Sequence, residues 1–253
     1  MKRYTKELLE IKVYDTRDEM GACAAGEAAD YIRELMGKKD EVNIVFAAAP
    51  SQNDFLRHLS TEDIDWGRVN AYHMDEYIGL PTDAPQGFGN YLAEHIFNLV
   101  PLKSVNYIYD ENKTPEQICA DYEKLLSDNP PDIIFMGVGE NGHIAFNDPH
   151  IAFFDDPLGV KIVDLDLKCR NQQVNDACFE TIDDVPTHAI TLTIPTLMKA
   201  ARIFVIVPTA LKADAIGKIY NGEITQACPA SILRTHKAAT LYTDVAGALQ
   251  IEQ

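Results

Sequence analysis

Residues Gly137 to Asp148 read GVGENGHIAFND and bring together groups that could move protons. Three glycines within six residues, Gly137, Gly139 and Gly142, allow a sharp turn and a close approach of backbone to a ligand. His143 follows, then Asn147 and the carboxylate of Asp148. An imidazole titrates near neutrality and can both take and give a proton. A carboxylate beside it holds the tautomer and stabilises the imidazolium. A second acidic group, Asp75, ends the apolar stretch Val69–His73–Met74. A carboxylate placed against a substrate can act as a general base. The bland alternatives are a packed or surface histidine, a turn residue before Pro149, and a strand-end or helix-cap aspartate.

These groups need a frame. Asp132 to Met136 is a short apolar run between prolines and a glycine, which reads as a buried strand of a parallel sheet. His143 and Asp148 then lie just past the C-terminal end of a strand, where open α/β sheets bind ligands. Gly137 to Gly142 also matches GxGxxG. A dinucleotide site would require a helix directly after the glycines, and Asn147, Asp148, Pro149, Pro157 and Gly159 break the chain there.

Along the rest of the chain, strands are expected at Leu8–Tyr14, Val42–Ala48, Val69–His73, Asn106–Tyr109, Lys161–Leu167, Ala189–Ile194, Arg202–Val207 and Ala239–Thr243. Helices are expected at Asp18–Lys38, with apolar residues at helical spacing, and at Asp54–Leu59, Gly89–Leu99, Pro115–Leu126, Leu211–Tyr220, Ala227–Leu233 and Val245–Gln250. Thr114 and Pro115 supply a cap and first position. Alternation of strand and helix predicts the α/β class: a single domain over residues 1–253, with an open, mostly parallel, Rossmann-like sheet covered by helices on both faces. His150–Leu158 and Asn171–Val185 are the candidate lids.

Gly137–Pro149 resembles the glucosamine-6-phosphate deaminase family, in the larger group that includes the 6-phosphogluconolactonases. The family motif runs close to GxGxDGHIAFNEP, with Asn141 here in place of Asp and Asp148 in place of Glu. His73–Leu80, HMDEYIGL, is similar to the family's MDEYxGL. The resemblance implies a sugar-phosphate isomerase type of fold and no organic cofactor. It implies that Asp75 shuttles a proton between C2 and C1 of an amino-sugar phosphate, and that His143 opens the sugar ring with Asn141 and Asp148 behind it. Asn141 can orient a ring but holds no charge. Asp148 is one methylene shorter than Glu, so it must sit closer or act through water. If the strand persists through Glu76, that side chain points away from Asp75 and supports the fold.

The phosphate site departs further from the family. A loop close to PTGGTP is replaced by Pro50-Ser51-Gln52-Asn53-Asp54. Helix amides with Ser51, Gln52 or Asn53 could hold an anion, yet Asp54 would compete for those amides. Alternatively Ser51 or Asn53 is simply a helix cap. Lys212 is the family-like phosphate lysine, or else a solvated helix residue. No Arg stands near Asp176, where the family has one, and Arg170 is the neighbour that could reach in. A sugar-lactone hydrolase and a non-catalytic sugar-binding module are the competing functions.

Composition bounds these readings. At 253 residues the chain has ample length for a core, and its 46% hydrophobic and 24% charged content is ordinary for a globular protein in water. A net charge of −17 disfavours nucleic acid and anionic membranes, so any phosphate site must be locally basic. Five scattered cysteines without a CxxC pair read as reduced thiols of a cytoplasmic protein. MKRYTKELLEIKVYD has no signal-peptide core, and no run is long enough to span a membrane. His73, His150, His188 and His236 lack metal-ligand spacing, so no metal is expected. The expected partner is a small sugar or sugar phosphate, in a chain that could assemble as a homo-oligomer.

Overall fold

A computed structural model describes residues 1–175 and 177–251. Eleven strands and seven α-helices are found among them. The strands are β1 Lys2–Lys6, β2 Leu9–Tyr14, β3 Val42–Phe46, β4 Val69–His73, β5 Asp75–Tyr77, β6 Ser104–Asn106, β7 Ile133–Met136, β8 Val160–Asp164, β9 His188–Leu192, β10 Arg202–Ile206 and β11 Ala239–Asp244. The helices are α1 Arg17–Met36, α2 Asn53–Leu59, α3 Phe88–Leu92, α4 Pro115–Asp128, α5 Leu167–Asn175, α6 Ile194–Leu197 and α7 Ala213–Asn221.

The main sheet has the order β1-β2-β11-β10-β7-β3-β4-β6. Every neighbouring pair in it is parallel except β1 with β2. Its strands alternate between two apolar layers, as a period of two requires. Ile44, Phe46, Ile133, Phe135, Phe204 and Ile206 face α1, α2 and α3. Val45, Ile134, Met136, Ile203 and Val205 face α4, α6 and α7. This is the expected α/β sheet with helices on both faces. From β3 the chain winds outward to β4 and β6 on one side, and to β7, β10 and β11 on the other. The reversal lies between β3 and β7, and ligand crevices open at such a point.

Several expected elements differ. β1 is an additional strand that pairs as a hairpin with β2, the first expected strand. β5, β9 and β8 form a separate antiparallel sheet and do not extend the main one. The Lys161–Leu167 strand ends at Asp164, because Leu167 already begins α5. The Asn106–Tyr109 strand is instead Ser104–Asn106, and Tyr107 and Tyr109 beyond it are exposed. Gly89–Leu99 is α3 followed by a π-helical turn, Ala93–Phe97. Ala227–Leu233 is replaced by a 3-10 helix at Pro229–Thr235, with Pro229 in its first turn. Val245–Gln250 is a run of turns, not a helix. Of the lid candidates, residues 171–175 belong to α5 and form part of a cavity wall.

Local chemistry explains the elements nearest the cavity. Thr16 caps α1 by accepting from the Glu19 N–H at 3.1 Å. Ala24, Ala25, Ala28 and Ala29 form its small buried face. A β-carbon at Gly21 would come within 2.9 Å of Asp54, so α1 can lie this close to α2 only with glycine there. Thr114 and Gln117 form the capping box of α4, with Pro115 at its first position.

Candidate active site

A cavity opens at the C-terminal ends of β4, β3, β7 and β10. Ala47–Pro50, Met74, Gly137–Gly139 and Pro208 form its floor, and Asp75, His143, Ser51, Lys212 and Arg17 line it. The expected proton carriers therefore meet in one pocket. β4 ends at His73 and the chain passes at once into β5, so Asp75 emerges at the rim of the sheet. The His73 imidazole is fully buried, with Nδ1 2.9 Å from the Asp75 carbonyl and Nε2 2.7 Å from the Ile108 N–H. These contacts assign the proton to Nδ1. Burial lowers the His73 pKa to about 4, so the ring is a neutral clamp under Asp75.

Burial, and then the charge of Glu76, push the Asp75 carboxyl well above the ordinary carboxylate range. Glu76 points the other way, as expected of the next strand residue. Its carboxylate accepts from the N–H groups of Tyr77, Phe88 and Gly89 at 2.8–3.0 Å and so anchors the start of α3. Thr191, paired with Asp75 across β5 and β9, accepts from the Phe146 N–H at 3.1 Å. That bond ties the Asp75 strand to the His143 loop.

The loop after β7 is shaped around His143. The Gly139 N–H donates to the His143 carbonyl at 2.9 Å, and Gly142 turns the chain with φ +86°. Asn141 Oδ1 accepts from the His143 N–H at 3.0 Å, while its Nδ2 donates to Asp148 Oδ1 at 2.8 Å. Asp148 Oδ1 lies 3.1 Å from His143 Nδ1, but off the line of a good hydrogen bond; Nδ1 and Asp148 Oδ2 are both buried without a hydrogen-bond partner. Burial raises the Asp148 pKa. The close His143 ring and the hydrogen bond from the Asn141 amide outweigh it, leaving the carboxyl below its ordinary value. Asn141 and Asp148 thus stand behind the imidazole rather than in the cavity wall. Asn147 holds the turn through the Ile144 and Leu192 carbonyls.

The anion end is only partly as expected. Ser51 and Lys212 line the cavity. Gln52 does not: it is fully buried, and its amide donates to Ser51 Oγ and to the Ile206 carbonyl, fastening the end of β3 to β10. Nor does Asn53, whose Oδ1 takes the Tyr91 hydroxyl. Asp54 pairs with Arg17 and Arg57. Arg170 donates to the carbonyls of Ile182 and Val185 and braces that loop. The expectation for Asp176 lies outside the described residues.

Arg17 is the cation that the sequence reading missed. It begins α1, just past the end of β2, and donates to the Pro50 carbonyl as well as to Asp54. A basic residue opening a helix after a strand was the available signal. Gln172 and Gln173 of α5 complete one wall, and Gln172 accepts from the Glu140 N–H at 3.0 Å. Phe88 and Phe146 stack with centroids 5.4 Å apart and give the cavity an apolar side. Two wall residues have left-handed backbones, Ala145 with φ 48° and Thr209 with φ 82°. Such geometry is costly for a β-branched residue. Asp244 holds it by accepting from the Thr209 and Gly247 N–H groups at 3.1 and 2.8 Å.

Fold and cavity together define an α/β protein with a carboxylate, an imidazole and cationic side chains at the switch point of a parallel sheet. The chain belongs to the family of glucosamine-6-phosphate isomerases and 6-phosphogluconolactonases, whose model matches residues 15–242. It is 32% identical over 213 residues to a glucosamine-6-phosphate deaminase of Bacillus cereus strain G9842, covering 84% of this chain and 79% of that one. It superposes with a TM-score of 0.86 on a solved monomeric glucosamine-6-phosphate deaminase, at 28% identity over 95% of this chain and 99% of that one. A 6-phosphogluconolactonase from Trypanosoma brucei shares the fold, with a TM-score of 0.76 and 17% identity over 98% of this chain and 100% of that one.

Proposed function

We propose that this cavity converts an amino-sugar 6-phosphate, such as glucosamine 6-phosphate, to a ketose phosphate and ammonia. The observation that carries the reading is that Asp75 and His143, on separate elements, line one cavity. Lys212, Arg17 and Ser51 hold the phosphate. His143 takes the anomeric proton and returns one to the ring oxygen, opening the sugar. Asn141 and Asp148 orient the ring and hold its charge. Asp75 then removes the C2 proton and delivers it to C1. The imine left at C2 is hydrolysed by water, which breaks the carbon–nitrogen bond and frees ammonia.

A raised Asp75 pKa suits this role, since a base closer to neutrality holds a transferred proton long enough to pass it on. The five cysteines are free thiols, which fits a cytoplasmic setting. The test is ammonia release from glucosamine 6-phosphate measured beside hydrolysis of 6-phosphogluconolactone. Ammonia with the amino sugar and no lactone turnover is expected. Lactone turnover alone, or binding of the amino sugar without ammonia, would overturn the reading.

A further inference from the structure

Behind the imidazole, His143, Asp148 and Cys169 each offer one ligand atom, and these atoms all lie within 4.8 Å of one another. We propose that the three side chains form a binding site for a thiophilic divalent cation such as Zn²⁺, and that the bound ion silences His143. Zinc takes imidazole nitrogen, thiolate sulfur and carboxylate oxygen in tetrahedral sets, commonly three protein ligands plus one further position. The mixed nitrogen, sulfur and oxygen set selects zinc-like ions over magnesium or calcium, which prefer oxygen alone.

Two observations besides the clustering point to a ligand. His143 Nδ1 and Asp148 Oδ2 are both buried without a hydrogen-bond partner, in residues only 8% and 0% exposed. Buried polar atoms left in this state are costly. Asn141 contributes as well: its amide occupies Asp148 Oδ1 at 2.8 Å, which leaves Oδ2 to face an ion.

Charge fits too. Binding drives the proton from the Cys169 thiol into solvent, while the neutral ring keeps its single proton on Nε2 so that Nδ1 can ligate. One thiolate, one carboxylate and one neutral imidazole then balance a doubly charged ion, so the buried site is left uncharged. The chain's net charge of −17 raises the local concentration of cations. With Nδ1 on the metal, the ring loses its pairing with Asp148 and its exchangeable proton on that side, so it can no longer cycle as acid and base. This second half rests on the proposed role of His143; the metal site does not.

Co²⁺ is the probe, titrated into the whole chain while the thiolate-to-cobalt charge-transfer band in the near-ultraviolet is followed. The band should saturate at one ion per chain and be displaced by Zn²⁺. Cys169→Ser should abolish it and weaken binding about 100-fold, whereas Cys23→Ser and Cys228→Ser should keep it. Circular dichroism verifies the fold, and Cys169→Ala serves if the serine variant fails to fold. No band, or a band that survives loss of Cys169, overturns the site. Zn²⁺ at the displacing concentration should stop ammonia release by the unaltered chain and spare the Cys169 variant. If metal binds and turnover continues, the silencing is overturned. If the metal-free chain releases no ammonia, the deaminase reading fails while the cobalt spectrum still decides the site.

Discussion

A β-carbon on Gly139 would lie 2.2 Å from Cε1 of the His143 ring. The imidazole therefore occupies the space that any side chain at residue 139 would need, and glycine is what lets it lie against the turn. Gly139→Ala should push the ring off its position beside Asp148. Turnover should fall by about 100-fold or more, the usual range for a misplaced acid–base group. Overpacking should cost about 1–3 kcal/mol in urea unfolding. An alanine variant with unchanged turnover would show that the ring's position is not needed.

Asp75→Asn should abolish ammonia release while making the fold more stable near neutral pH. The carboxyl's pKa is raised by burial and by Glu76, against about 3.9 in an unfolded chain. Below that pH both states are protonated and the group costs the fold nothing. As pH rises above it, the unfolded chain ionises while the fold still keeps the proton, so the cost grows until the raised folded value is reached. The stability gain of the asparagine variant should therefore be present near pH 7 and vanish near pH 3 (about the lower limit of Asp titration). Urea midpoints across that range check the sign.

His73 makes the opposite contribution. Its pKa falls from about 6.5 in an unfolded chain to about 4 in the fold. Above the unfolded value the ring is neutral in both states and stability is complete. Between the two values the unfolded chain binds the proton more readily, so stability drops as pH falls, by about 3 kcal/mol in all. Replacing His73 with Asn should flatten that part of the stability profile, at the cost of the clamp on Asp75.

Arg17→Ala should raise KM for the phosphorylated sugar about 10-fold or more and leave kcat within about twofold, since a charged hydrogen bond made equally in both states is lost. Asp54, left with Arg57 alone, would then repel the anion more strongly. The double variant Arg17→Ala, Asp54→Asn removes that repulsion and should recover part of the affinity. A fall in kcat with KM unchanged would instead place Arg17 in the chemistry.

What the sequence could show was set by local rules. Strand period, the glycine turn, the Thr114 cap and the order of the two motifs depend on neighbours along the chain. They were enough for the α/β class and for Asp75, His143 and Asp148 as the residues to watch, while Asn141 came from the family resemblance. The strand-parity argument also put Glu76 on the far side of Asp75, where it anchors α3. Boundaries such as Asp164 and the turns of Val245–Gln250 were misread because local pattern does not say which strand has a partner.

Tertiary structure alone decided what meets across the fold. Strand signals could not reveal that β5, β8 and β9 leave the main sheet, because antiparallel pairing is a matter of partners. They could not show that the Gln52 amide is spent on Ile206, 154 residues away, nor that Arg17 reaches Pro50 and Asp54 because Gly21 lets α1 approach α2. The sequence by itself determined which groups could carry protons and which strand ends they follow. Only the packed chain decided which of them share a cavity, since burial and contact between distant residues arise when the sheet closes its two apolar layers.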